Sequence, residues 1–223
     1  MVPTTLGPSL GVYYPPPPPP PASVPDPIAA RTGWTPIRRG ASASFRSRRL
    51  VRTRPERMEF VPTAGAFLFA IPFLAMGALP VILTLAFPQP NWGELWLFVL
   101  VSPFVAGGLL ILRTAGTQIV FDRARGFLWT GRDIPREGPS PQAPCAGVSL
   151  DTIHALQILA YRITSGRNVM VYTLYELTLV FEDGGRQKLL AHGDGPRLRE
   201  DALALGAFLG RPVWDGTVAA RHW

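Results

Sequence analysis

The chain is almost without cysteine and lysine: among its 223 residues only Cys145 carries a thiol, and of the 22 basic side chains only Lys188 is not arginine. One thiol excludes an internal disulfide and a metal site built from thiolates. Cys145 has no cationic neighbour in sequence that would lower its pKa, so it reads as inert. The three histidines, His154, His192 and His222, stand far apart with no ligand-spaced His, Cys or carboxylate beside them, and no metal or other cofactor is expected. A glycine-rich phosphate loop is missing as well. Gly107-Gly108 lies in an apolar run and Gly184-Gly185 in a turn signal, which speaks against nucleotide binding. Charge is the most telling absence: between Phe60 and Leu112 the only ionisable side chain is Glu94.

That gap leaves two long apolar stretches, Phe60–Gly93 and Leu95–Leu112. The second reaches about 27 Å as a helix, and the first exceeds the roughly twenty residues that a hydrocarbon core demands. A two-helix transmembrane hairpin over residues 60–113 is therefore predicted, with its first segment at about Ala64–Phe87. Pro72 and Pro80 should bend that segment, since each removes a helix hydrogen bond. The link Pro88–Glu94 reads as a tight polar turn between antiparallel neighbours, with Trp92 and Trp96 at the level of an interfacial belt. Small residues at Ala66/Ala70 and Ser102/Ala106 have the spacing that lets two helices approach.

The basic excess is confined to the N-terminal arm, where residues 1–57 hold nine arginines against Asp26 and Glu56. The remainder balances at thirteen basic and thirteen acidic side chains, so nothing supports a nucleic-acid-binding fold. The arm, residues 1–59, passes through seven prolines at Pro15–Pro21 into the Arg/Ser-rich run Arg38–Arg57. It has too few apolar residues for a core and reads as a disordered tail containing a polyproline II rod. Three other readings remain: a ligand for an aromatic-groove domain, an organelle leader, and untranslated sequence with Met58 as the start. Arginines flank both ends of the hairpin and are absent from its link, which puts both termini in the cytoplasm of a multi-pass protein of the inner membrane.

From Thr117 the apolar period changes to two. Ile119 and Phe121, the turn Asp122–Gly126, and Phe127 and Trp129 read as a β-hairpin. A Pro/Gly-rich stretch, Arg132–Gly147, leads to a strand at Thr152–Tyr161 and a turn at Ser165–Asn168. The strand Val171–Phe181 follows, with Tyr175, Leu177, Leu179 and Phe181 on one face and Glu176, Thr178 and Glu182 on the other. Asp183-Gly184 turns it into a strand at Arg186–Ala191. Asp194 caps a final helix whose stripe is Leu198, Ala202, Leu205 and Leu209, ended by Gly210 and Pro212. The expectation is a small α+β domain over residues 114–215, an antiparallel sheet closed by one C-terminal helix, with a tail at 216–223.

That order resembles pleckstrin-homology-like domains. The runs Tyr175–Gly184, Ala191-His192-Gly193-Asp194 and Ala207–Asp215 are similar to those of bacterial membrane proteins in which a two-helix hairpin precedes such a domain. Phe121-Asp122-Arg123, Gly126 and Ala207-Phe208-Leu209 before Pro212-Val213 also make the layout similar to the photosystem I assembly factor. The resemblance implies non-enzymatic help in assembling or holding membrane proteins. The partners expected are the bilayer, other membrane proteins and anionic lipids. Arg113, Arg123, Arg125, Arg132 and Arg136, near the membrane exit, are the candidate contacts with headgroups or partners. The enzymatic alternative is a membrane-tethered activity using His192 as a base beside Asp194, although no nucleophile accompanies them.

Overall fold

The computed structural model describes residues 25–37, 44–86, 93–131, 147–165 and 170–217. In chain order its elements are α1 (Pro27–Arg31), β1 (Arg48–Arg54), β2 (Arg57–Pro62), α2 (Ala64–Leu68), α3 (Ile71–Ala86), α4 (Gly93–Ala115), β3 (Ile119–Asp122), β4 (Phe127–Thr130), β5 (Val148–Ser149), β6 (Ile153–Ser165), β7 (Met170–Phe181), β8 (Arg186–His192), α5 (Gly195–Leu209) and β9 (Val213–Asp215). The fold is α+β. The described parts of 46–150 form one compact unit, and those of 1–45 with 151–223 form another.

In the first unit, strands β1 to β5 pair in chain order as an antiparallel sheet. The expected hairpin of β3 and β4 is present, with Phe121 opposite Leu128 and Gly126 at φ 75° in the turn. Its other neighbour, β2, was not expected. Phe60, assigned by hydropathy to the apolar stretch, sits inside β2 at 1% exposure and meets the Phe121 ring edge-on, with centroids 6.2 Å apart. Met58 is also buried there, and β1 pairs upstream of it, so folded structure precedes the residue proposed as a start. The arm's average composition hides this segment, because Leu50, Val51, Met58 and Phe60 are diluted by arginine.

Between β2 and β3 runs a pair of apolar helices. A break at Phe69–Ala70 separates α2 from α3 just before Pro72, whereas Pro80 and Pro103 lie inside unbroken helix. Leu74 meets Gly108 and Gly77 meets Val105, so α3 and α4 are antiparallel. A Cβ at Gly108 would stand 2.6 Å from Leu74 Cδ2, and one at Gly77 would overlap Val105. Of the small residues expected to allow close approach, Ala66 and Ala70 are buried, whereas Ser102 and Ala106 are exposed and these glycines take their place. The link 87–92 lies outside the described residues, and Glu94, expected within it, belongs to α4.

In the other unit β8, β7, β6 and β9 form a sheet in that order, and β9 runs parallel to β6. Segment 114–215 therefore contributes to two sheets. Leu156, Ile158, Leu177, Leu179 and Leu190 are buried, as are Leu198, Ala202 and Leu205 of α5. Asp194 Oδ1 accepts from Arg197 N at 3.1 Å, and Gly210 closes the helix at φ 66°, the capping that the sequence predicts. Gly216 and Thr217, assigned to a tail, are buried; Gly216 N donates to Ile158 O at 2.9 Å.

The opposite face of this sheet is covered by residues 25–37, another part of the presumed disordered arm. Asp26 caps α1 through Ile28 N at 2.8 Å. Ala29 and Trp34 are buried in a cluster with Ala155, Leu159, Val180 and Trp214. The Trp34 ring stacks on Trp214 with centroids 6.1 Å apart, and its Nε1 donates to Ala29 O. Residues 1–24, with the proline run, lie outside the described residues.

Candidate functional site

The helix pair leaves and rejoins the first sheet at one end, because Phe60 of β2 is the register partner of Ile119 of β3. The start of β1 clasps both helix feet. Arg48 pairs with Pro62 in the ladder, and its guanidinium donates to the Thr117 carbonyl and, at 2.9 Å, to the Thr117 hydroxyl. On the other side the Thr63 hydroxyl donates to Arg46 O at 2.7 Å, and Thr63 N to Ser47 O at 3.0 Å. Arg49 is exposed in the same strand, and Arg113 is exposed in the last turn of α4. Among the described residues, segments 44–49, 61–68, 112–119 and 130–131, which form this end, contain no acidic side chain.

The other end of the sheet holds the β1–β2 and β3–β4 turns. Arg123 N donates to Glu56 O at 2.9 Å, and its guanidinium stands 3.8 Å from the Glu56 carboxylate. Arg125 N donates to Asp122 Oδ1 at 3.1 Å. Arg57 is bound to Glu59 at 2.6 Å and lies over the Trp129 ring. The four residues of β3, at about 3.3 Å each, carry this turn some 13 Å from the helix feet.

The structure therefore does not gather the expected arginines. Arg113 stays at the helix foot, Arg123 and Arg125 sit at the far end among acids, and Arg132 and Arg136 lie outside the described residues. In place of Arg123 and Arg125, the foot acquires Arg46, Arg48 and Arg49, which sequence reasoning left in the arm. Leu50 and Val51 between arginines were the only signal that this run could pair as a strand.

His192 is fully buried, and its Nδ1 faces Asp194 N at 3.2 Å, while the Asp194 carboxylate caps α5. Both residues thus address backbone groups where β8 passes into α5. Among the described residues no group of three or more His, Cys, Asp or Glu side chains could hold a metal ion.

The second sheet carries a polar cluster under residues 25–37. Glu176, fully buried, accepts from Ile37 N at 2.8 Å and from the Thr178 hydroxyl at 3.1 Å. Its second oxygen has no hydrogen-bond donor among the described residues and stands 3.9 Å from Lys188 Nζ. Burial pushes the Glu176 pKa up, against the Ile37 N–H and the Lys188 charge; burial likewise lowers the pKa of Lys188. Gln157 donates to Gly33 O at 3.2 Å, Arg186 to Thr35 O at 2.9 Å, and Arg31 to Glu182 O at 2.7 Å. At the margin Asp26 meets His154 Nε2 at 2.7 Å, and that hydrogen bond holds the Asp26 carboxyl below its ordinary value. The cluster is equipped to fix a peptide backbone.

Comparison of the chain with protein-family models, with curated proteins and with solved structures finds no match.

Proposed function

We propose that this is a non-catalytic membrane protein: its helix pair inserts in a bilayer as a hairpin, and its β units hold partner proteins as an assembly or scaffold component. The observation that carries the reading is the exposure of apolar surface around the helices. The span Ala64–Leu83 has a mean hydropathy of 2.3, yet only 17% of its most apolar window is buried. A core helix of a water-soluble protein would hide such a surface against its own chain. Here Met76, Leu79, Ile82 and Leu83 of α3, and Val99, Leu100, Leu109 and Leu110 of α4, all stand exposed. The apolar part of α4, Val99–Arg113, ends in a cation, and the arginines at the feet favour a cytoplasmic location for that end.

Alkaline carbonate extraction of native membranes tests insertion. The protein is expected in the pellet, and Leu79→Arg with Ile82→Arg is expected to move it to the supernatant or abolish accumulation; quantitative release of the wild type would overturn the reading. The scaffold role is tested by identifying what co-purifies from gently solubilised membranes. A reproducible membrane-protein partner, lost when the β units are removed, is the expected result, and a protein pure of partners would sink it.

A further inference from the structure

We infer that the helix foot is a binding surface for the phosphates of anionic phospholipids, formed by Arg46, Arg49 and Arg113 on a frame that Arg48 holds together. The inference rests on the membrane reading above and identifies what its cytoplasmic end touches. Three observations carry it. The first is level: continuing the contacts of Leu74 with Gly108 and Gly77 with Val105 puts Arg113 near the Phe69–Ala70 break. There the exposed apolar surface begins, with Leu68 at 59% and Phe69 at 54% exposure. A guanidinium at that depth reaches headgroups by extending its stem toward water.

The second is charge. Among the described residues, segments 44–49, 61–68, 112–119 and 130–131 at this end carry no carboxylate, whereas Glu56 and Asp122 accompany Arg123 and Arg125 at the other. Glu59, one residue from the foot pair Phe60–Ile119, is held by Arg57 at 2.6 Å. Arginines at both ends share one sheet, and only those at the foot lie where a phosphate plane would pass. The third is construction. Hydrogen bonds from Arg48 to Thr117 and from Thr63 to Arg46 and Ser47 tie the start of β1 to both helix feet, so the cations are presented on paired backbone. The planar guanidinium fork matches phosphate oxygens in pairs, which an ammonium does not.

A bilayer is favoured over free phosphate as the source because Arg46, Arg49 and Arg113 sit on different segments around the helix feet, at the level where the exposed apolar surface of Leu68 and Phe69 begins. Each arginine near an anionic surface is worth about fivefold in binding. Removing three should cost on the order of a hundredfold.

The test uses the full chain reconstituted in nanodiscs of phosphatidylcholine mixed with phosphatidylglycerol, reading by native mass spectrometry which lipids stay bound after release. The wild type is expected to retain phosphatidylglycerol in excess of its share. Arg46→Gln with Arg49→Gln and Arg113→Gln should erase that excess, while Arg54→Gln with Arg123→Gln and Arg125→Gln should leave it. Far-UV circular dichroism checks that both triples are folded; if the first is not, Arg49→Lys with Arg113→Lys replaces it and should weaken retention while keeping charge. No excess in the wild type, or equal loss from both triples, would overturn the inference. Displacement of the lipid by inorganic phosphate at similar concentration would assign the site to free anions and overturn it too. Failure to enter discs of phosphatidylcholine alone would instead remove the membrane reading itself, and this inference with it.

Discussion

Strand β7 is covered on both sides, by opposite kinds of chemistry. Leu177 and Leu179 lie on the face that meets α5, an amphipathic helix with a cap at each end. Glu176 and Thr178 lie on the face under residues 25–37, where a buried carboxylate and the side chains Gln157 and Arg186 bind the backbone of an irregular segment. Alternation of apolar and polar residues separates these two rows correctly. It does not say that the polar row faces water. A strand with one polar face can be buried twice when the second cover brings its own hydrogen-bonding groups to meet it.

The largest test of this contrast is Leu205→Ala on the helix side, expected to cost about 3–4 kcal/mol through a cavity beneath α5. Thermal unfolding in mild detergent would register it as one cooperative loss. Next comes Trp34→Ala on the other side, expected to cost about 2–3 kcal/mol, less than a closed core site because the covering segment can lift away. Hydrogen exchange should then show residues 25–37 deprotected while α5 stays protected. Equal deprotection of both would mean that the two covers are a single cooperative layer.

Smaller effects separate the polar contacts. Burial raises the folded pKa of Glu176 above its unfolded value, so the folded protein holds this proton more tightly. Stability from this group therefore increases as pH falls through the folded value toward the ordinary carboxylate value. Glu176→Gln should remove that pH dependence and change stability at neutral pH by under about 1 kcal/mol, since the amide still accepts from Ile37 N. Asp26 has the opposite sign: its folded pKa is depressed, so its contribution is present above the ordinary carboxylate value and is lost as pH falls through the folded one. Asp26→Asn, which keeps an acceptor for Ile28 N, should cost less than about 1 kcal/mol. Comparing the pH profiles of the two variants reads one sign against the other.

What the sequence made legible was local. Alternation placed β3, β4, β7 and β8, and Asp194 with Gly210 bounded α5, because turn chemistry and capping act within a few residues. Pairings across long separations were not legible. Nothing near Arg57–Pro62 announces a partner strand at Ile119–Asp122, and three-residue β9 is too short to show a period. At the helix feet Arg113 was readable from the end of an apolar run. Arg123 and Arg125 were not, since ten residues along the chain became the length of a strand in the wrong direction. Trp34 was hidden by averaging: a segment with one large ring and small apolar neighbours cannot form a core alone, but it can complete one.

The register of β2 against β3 has a consequence for the order in which the chain can fold. Phe60 cannot find Ile119 until residues 61–118 have been made, and closing a loop of that length costs about 2 kcal/mol more than closing a four-residue turn. The tight contacts at Gly77 and Gly108 shorten that search, since helices already paired deliver both strand ends to one place. The helix pair does for β2 and β3 what the short turn at Gly126 does for β3 and β4. During synthesis, the β1–β5 sheet can be completed only after both helices have been made, since they lie between its second and third strands.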